Sequence, residues 1–292
     1  MTYTTLISPA ELLEHLHHPD WLILDCRFSL DDPHAGHAQY LQGHIPGALH
    51  ADLEQHLSGT AIPGITGRHP LPPADAFAHT LTQWGIDGSV QVVAYDDWYG
   101  AFAARLWWML RWMGHTAVAV LDGGWLRWLQ AGYPTRPGAE QRTPRTFTAQ
   151  TNPHLHVTTP ELLTLHTAPT VRVVDGRSAD RYRGENETRD PVAGHIPGAV
   201  NRFFADNVGS DGCFLPPAQL REQWQQVLGD APPDAVIHYC GSGVTATHNA
   251  LAMAHAGLDM GRVYIGSWSE WCADATRPVA TAATDTGADP AV

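Results

Sequence analysis

The chain repeats itself. Gly43-His44-Ile45-Pro46-Gly47-Ala48 returns as Gly194-His195-Ile196-Pro197-Gly198-Ala199, 151 residues later. Leu24-Asp25-Cys26-Arg27 is echoed by Val174-Asp175-Gly176-Arg177 at an offset of 150, and Gly123-Gly124-Trp125 with Trp128 by Gly266-Ser267-Trp268 with Trp271 at 143. Three matches in one order with a slowly drifting offset mean two copies of one domain. Each copy must then build its own core from half of 292 residues, which is an ordinary domain size. The Pro/Arg/Thr-rich stretch between the copies reads as a linker. The expected boundaries are 1–137 for the first copy, 138–156 for the linker and 157–280 for the second, with 281–292 a small-residue tail expected to be disordered.

Within each copy, short β-branched runs alternate with helical patterns. The runs are 22–24, 90–94 and 117–120 in the first copy, and 171–174, 235–239 and 262–265 in the second. Helical spacing covers 101–113 and 217–227. Strands alternating with helices predict an α/β fold, each copy a central parallel sheet flanked by helices. The aromatic stripe Trp107, Trp108, Trp112 reads as helix packing.

Composition removes several functions. A formal charge of −13 leaves no basic stripe to displace the counterions of a nucleic acid. All 17 basic residues are arginine, so neither a Schiff-base lysine nor a phosphate-loop lysine exists. No run of about 20 apolar residues offers a membrane span. The first residues lack the basic start and apolar core of a signal peptide, which points to the cytoplasm. Cys26, Cys213, Cys240 and Cys272 form no Cys-x-x-Cys pair, so neither a metal site nor a disulfide framework is expected. His15, His17 and His18 cluster without an acidic or Cys partner at ligand spacing and read as helix surface.

Cys240 stands apart from the other thiols. It follows the apolar run Val236-Ile237-His238-Tyr239, opens the loop Gly241-Ser242-Gly243-Val244-Thr245, and precedes a helical stretch from Ala246 to His255. A strand end, a glycine-bearing loop and a helix start make main-chain N–H groups converge, with the positive end of the helix dipole behind them. Such surroundings favour an anionic sulfur. A buried structural cysteine is the plainer alternative; two glycines within three residues favour a nucleophile. Tyr95 aligns with Tyr239, so Asp96 holds the place of Cys240 in the first copy, which is therefore expected to be non-catalytic.

The paired Gly-His-Ile-Pro-Gly-Ala motifs, the degenerate first copy, the Cys240 loop and Gly266-Ser-Trp-Ser-Glu-Trp-Cys-Ala-Asp together resemble the tandem-domain rhodaneses, the thiosulfate and 3-mercaptopyruvate sulfurtransferases. The resemblance spans about residues 5 to 280. It implies that Cys240 accepts a sulfane sulfur as a persulfide and passes it on by a ping-pong route, with no metal and no organic cofactor. A thiol such as thioredoxin, or cyanide, would be the acceptor. The loop carries Gly241, Ser242 and Gly243 where thiosulfate enzymes carry basic residues, and so is similar to the mercaptopyruvate group. In that group Ser242 would share a proton relay with a histidine and an acid of the first domain, here matched by His44 and Asp32. Arg181 and Arg189 match arginines that would hold the donor carboxylate, beside loop residues Gly241, Gly243, Val244 and Thr245. Asp180 departs from the family's glycine, and Glu187-Thr188 from its Glu-Pro. Thiosulfate as donor, and a non-enzymatic persulfide carrier or sensor, stay open as alternatives. A cysteine phosphatase does not, because Ala246 stands where its phosphate-gripping arginine must be.

Overall fold

The computed structural model describes residues 2–283. The chain forms two compact units. Unit 1 comprises Met1–Gly59, Leu71–Pro153 and Val208–Leu215; unit 2 comprises Thr60–Pro70, His154–Asn207 and Pro216–Val292. Each unit takes a short segment from the other's stretch of sequence. Residues 139–152, expected as a linker, run without helix or strand along unit 1, where Gln150 and Asn152 donate main-chain N–H groups to Met113 and Trp112. Of the expected tail, 284–292 lie outside the described residues, while the Ala282 N–H bonds to the Arg183 carbonyl.

Unit 1 is built on a five-stranded sheet of β1 (Leu6–Ile7), β2 (Trp21–Asp25), β3 (Leu49–His50), β4 (Gln91–Tyr95) and β5 (Val118–Leu121). Its order is β1-β5-β4-β2-β3 and every neighbouring pair is parallel. Helices α1 (Pro9–Glu14), α2 (Ala35–Gln42), α3 (Ala74–Gln83), α4 (Ala101–Trp112) and α5 (Gly124–Gln130) flank it. Unit 2 repeats the plan with β6 (His156–Val157), β7 (Arg172–Asp175), β8 (Val200–Asn201), β9 (Val236–Tyr239) and β10 (Arg262–Tyr264), ordered β6-β10-β9-β7-β8 and again all parallel. Its helices are α6 (Thr159–Leu165), α7 (Ala179–Arg183), α8 (Pro217–Leu228), α9 (Thr245–His255) and α10 (Ser267–Trp271).

The sequence pattern explains the elements it marked. Strands buried on both faces need unbroken apolar runs, and β4 and β9 are buried at every residue. Trp107, Trp108 and Trp112 are buried within α4 and act as core. Each central strand then sends its chain into a helix, so the loops after β4 and β9 lie at the carboxyl edge of a parallel sheet. That edge is where open α/β sheets bind ligands.

The duplicated residues do the same work in both units. The Ile45 and Ile196 N–H groups donate to the Tyr95 and Tyr239 hydroxyls, each at 3.2 Å. Arg27 forks onto Asp25 and reaches the Gly43 carbonyl, as Arg177 forks onto Asp175 and reaches that of Gly194. These buried pairs tie the Gly-His-Ile-Pro-Gly turn to the end of the neighbouring strand. They hold the floor beneath the two strand-end loops.

Candidate active site

Cys240 begins where β9 ends, and its loop is clipped to the turn at the start of α10. The Cys240 N–H donates to Ser267 Oγ at 3.1 Å, while the Cys240 and Gly241 carbonyls accept the Trp268 and Ser269 N–H groups, both at 2.9 Å. Gly243 has φ +77°, and a Cβ there would sit 2.3 Å from the Ile265 carbonyl oxygen. Only glycine fits this turn. Helix α9 follows at once, with Val244 at its N-cap and no side chain capping it. Among the described residues, the main-chain N–H groups of Gly241, Ser242, Val244, Thr245 and Ala246 meet no acceptor. A buried loop with spare donors at a helix N-terminus is built for negative charge.

Unit 1 supplies the comparison. Asp96 occupies the Cys240 position and its carboxylate fills the equivalent loop. One oxygen accepts the Trp98 and Gly100 N–H groups at 2.7 and 2.9 Å; the other accepts those of Phe102 and Ala103, both at 2.8 Å. The Trp125 N–H bonds to the Asp96 carbonyl as that of Trp268 bonds to Cys240. Burial still pushes the Asp96 carboxyl up to about 6, against those four donors. The same loop thus holds a fixed anion in one copy and a thiol in the other.

Cys240 is 2% exposed, and the residue after it lies beside two guanidiniums. A side chain added at Gly241 would meet the Arg68 guanidinium at 3.0 Å and that of Arg181 at 3.6 Å. Arg181 forks onto Glu187, which also accepts from Arg177. Asp190 pairs with both Arg68 and Arg181. Arg189 is exposed, and its main-chain N–H donates to Glu187. Ser242, 6% exposed, bonds through Oγ to Nδ1 of His69 at 2.8 Å, and His69 is itself buried. All of these residues belong to unit 2.

The expected relay partners His44 and Asp32 belong to unit 1 and have local partners of their own. The buried His44 ring binds the Tyr40 carbonyl through Nδ1 at 2.8 Å and stacks on Tyr40. Its twin His195 does the same with Tyr182, also at 2.8 Å. His44 is therefore a turn histidine, and the partner of Ser242 is His69. Asp32 is exposed in unit 1 and caps a local turn by accepting the His34 N–H. Sequence reasoning missed both Arg68 and His69. They stand in Gly67-Arg68-His69-Pro70, which matches neither repeat, and His69 meets Ser242 across 173 residues. Their segment folds with unit 2 although it lies in the first half of the chain, so no periodicity could have announced it.

Burial pushes Cys213 and Cys272 up to about 11 and drives Cys26 well above its ordinary value. Among the described residues, no three His, Cys, Asp or Glu side chains could hold a metal ion, and no helix is long and apolar enough to cross a membrane.

The rhodanese-like domain family matches the chain twice, over residues 8–131 and 158–274. The chain belongs to the rhodanese family. It is 47% identical over 282 residues to a Pseudomonas aeruginosa protein named "Probable 3-mercaptopyruvate sulfurtransferase", covering 96% of this chain and 99% of that one. It is 34% identical over 278 residues to a mouse thiosulfate sulfurtransferase, covering 92% of each. Among solved structures, a 3-mercaptopyruvate sulfurtransferase from Leishmania major superposes with a TM-score of 0.81 at 33% identity, over 92% of this chain and 74% of that chain. Rhodanese membership agrees with the resemblance carried by the repeated motifs and the Cys240 loop.

Proposed function

We propose that this protein is a sulfurtransferase that moves a sulfane sulfur from 3-mercaptopyruvate, through a persulfide on Cys240, to a thiol or cyanide. One arrangement carries the reading: a thiol at the head of a loop with spare N–H donors, flanked by Ser242–His69 and by the Arg68 and Arg181 guanidiniums. The Cys240 thiolate attacks the donor's sulfur. The carbon–sulfur bond breaks, its electron pair passes to carbon, and the enolate of pyruvate departs. The main-chain N–H groups hold the charged terminal sulfur, and the helix dipole adds to them. Ser242, oriented by His69, donates a hydrogen bond to the developing enolate oxygen, and the proton released as the persulfide ionises passes through this pair to the enolate carbon, which completes pyruvate. An acceptor thiolate or cyanide then attacks the outer sulfur, and the Cys240 thiolate leaves. The guanidiniums of Arg68 and Arg181 suit the donor's carboxylate. Arg189 reaches the same acid cluster through its main chain and has the lesser claim.

The acceptor in the cell is a reduced thiol of the thioredoxin kind, and a reducing cytoplasm keeps Cys240 available. Unit 1, with Asp96 in its loop, is the non-catalytic partner. Thiosulfate is the second reading, favoured by the two arginines beside the loop; attack on its outer sulfur would release sulfite. The test is thiocyanate release from each donor plus cyanide. Cys240→Ser is expected to lower turnover by about 10⁴-fold or more, as removal of a nucleophile does. A wild-type protein that forms the persulfide and never turns over is a carrier, and the enzyme reading fails.

A further inference from the structure

Two guanidiniums beside a sulfur-transfer loop do not by themselves say which donor is used, because both candidate donors are anions. The charges around those guanidiniums are more specific. Arg68, Arg177 and Arg181 are matched one for one by Asp175, Glu187 and Asp190. Arg177 is held by Asp175 and Glu187, with side-chain exposures of 1%, 0% and 2%. Arg181 is paired with Glu187, at 2.8 Å, and with Asp190, at 3.3 Å. Among the described residues Arg68 pairs with Asp190, and its main-chain N–H is fixed by Ser269 Oγ at 3.1 Å. Arg68 and Arg181 retain 36% and 21% of their side-chain exposure, while Asp190 is 2% exposed. One buried carboxylate therefore stands between the two cations nearest Gly241.

We infer that Asp190 is the residue that sets donor specificity, by cancelling one positive charge at the Gly241 flank so that the site favours a mono-anionic carboxylate over a dianion. The inference rests on the sulfurtransferase reading and deepens it. A site whose cations are already balanced offers directed N–H donors and little net charge. Such a site suits a keto acid carrying one carboxylate, which a planar guanidinium grips by geometry. Thiosulfate carries two charges and gains from uncompensated cations. The difference between the donors is one unit charge, and its interaction with one unit charge a few ångströms away near a protein surface is worth about tenfold or more. Asp190 touches neither donor by this account; it acts through Arg68 and Arg181, and is a positioning residue.

The experiment measures kcat/KM for 3-mercaptopyruvate and for thiosulfate, with cyanide as acceptor, in wild type, Asp190→Asn and Arg68→Gln. Asp190→Asn is isosteric and uncovers one positive charge, so the thiosulfate-to-mercaptopyruvate ratio should rise about tenfold. Arg68→Gln removes one, so the ratio should fall, and this half-exposed residue can be exchanged without disturbing the core. Raising ionic strength should shrink both shifts. Equal losses for the two donors in both variants would mean a structural role and would overturn the inference, as would ratios that move the same way. If wild type already prefers thiosulfate, the proposed donor is wrong. Opposite ratio shifts would still show that Asp190 sets the charge balance.

Discussion

Gly243 offers the most direct test of whether loop geometry carries the chemistry. Its φ of +77° is a conformation in which a side chain costs about 1–2 kcal/mol. The added methyl would also stand 2.3 Å from the Ile265 carbonyl oxygen, and real Cβ atoms essentially never approach below 3.0 Å. Gly243→Ala must therefore displace the loop by roughly 1 Å, and a misplacement of that size costs on the order of 10²-fold in rate. Gly64 is the matched control. It also lies in unit 2 and also has φ +77°, but nothing lies within 4 Å of its added Cβ. Gly64→Ala should lower stability by about 1–2 kcal/mol and leave sulfur transfer intact. Thermal melting and thiocyanate release separate the two costs. For each 1 kcal/mol the melting temperature of a unit this size should fall by about 2–4 °C or a little more. If kcat/KM of Gly243→Ala stays within about threefold of Gly64→Ala, the N–H cradle is not the source of catalysis, whatever Cys240 does.

Two further expectations concern stability. Asp96→Ala leaves four buried N–H donors without their carboxylate, at about 1–3 kcal/mol for each donor that water cannot reach. Unit 1 should lose at least about 3 kcal/mol in urea titration, and a loss below about 1 kcal/mol would show that the loop does not need its anion. His238 is fully buried on β9, and burial pushes it down to about 3 from an ordinary 6.5. The folded protein keeps it neutral while the unfolded chain protonates below 6.5, so its contribution is complete above that pH and is lost as pH falls toward about 3. His238→Leu should therefore lose about 2 kcal/mol less than wild type between pH 6.5 and 5. Urea midpoints at the two values that moved in parallel would refute this.

What the sequence disclosed follows from what repeats and what is periodic. The central strands β2, β4, β7 and β9 are continuous apolar runs, and the structure sets them within one or two residues of the expected spans. Strands β1, β3, β6 and β8 have two residues each and carry no period, so nothing in the chain marked them. The Cys240 loop was legible because glycine spacing, strand end and helix start are all local. Ser242's partner was not. His44 sits in a repeated motif and attracted the role, yet its twin His195 makes the same bond to a turn carbonyl. A motif present in both copies marks a feature of the fold, and chemistry unique to one copy must be sought where the copies differ. His69 and Arg68 lie in such a place, the connection between β3 and α3. The matching connection, between β8 and α8, contributes its Val208–Leu215 stretch to unit 1.

The two copies also act as an internal experiment on the loop itself. Evolutionary history aside, the same strand-loop-helix unit has been filled in two ways, and the filling in unit 1 is a carboxylate saturated with N–H donors. A loop that can hold Asp96 in this manner has donors aimed at a point just beyond the first side-chain atom. In unit 2 the residue at that position is Cys240, which carries no carboxylate to meet such donors. Leaving several N–H groups without acceptors costs stability in the resting protein, and such local costs gather at functional sites. Asp96 removes that cost in unit 1. Unit 1 thus has its loop donors satisfied, and unit 2 has several of them unsatisfied. The difference between the two loops is a single side chain, a carboxylate at Asp96 and a thiol at Cys240.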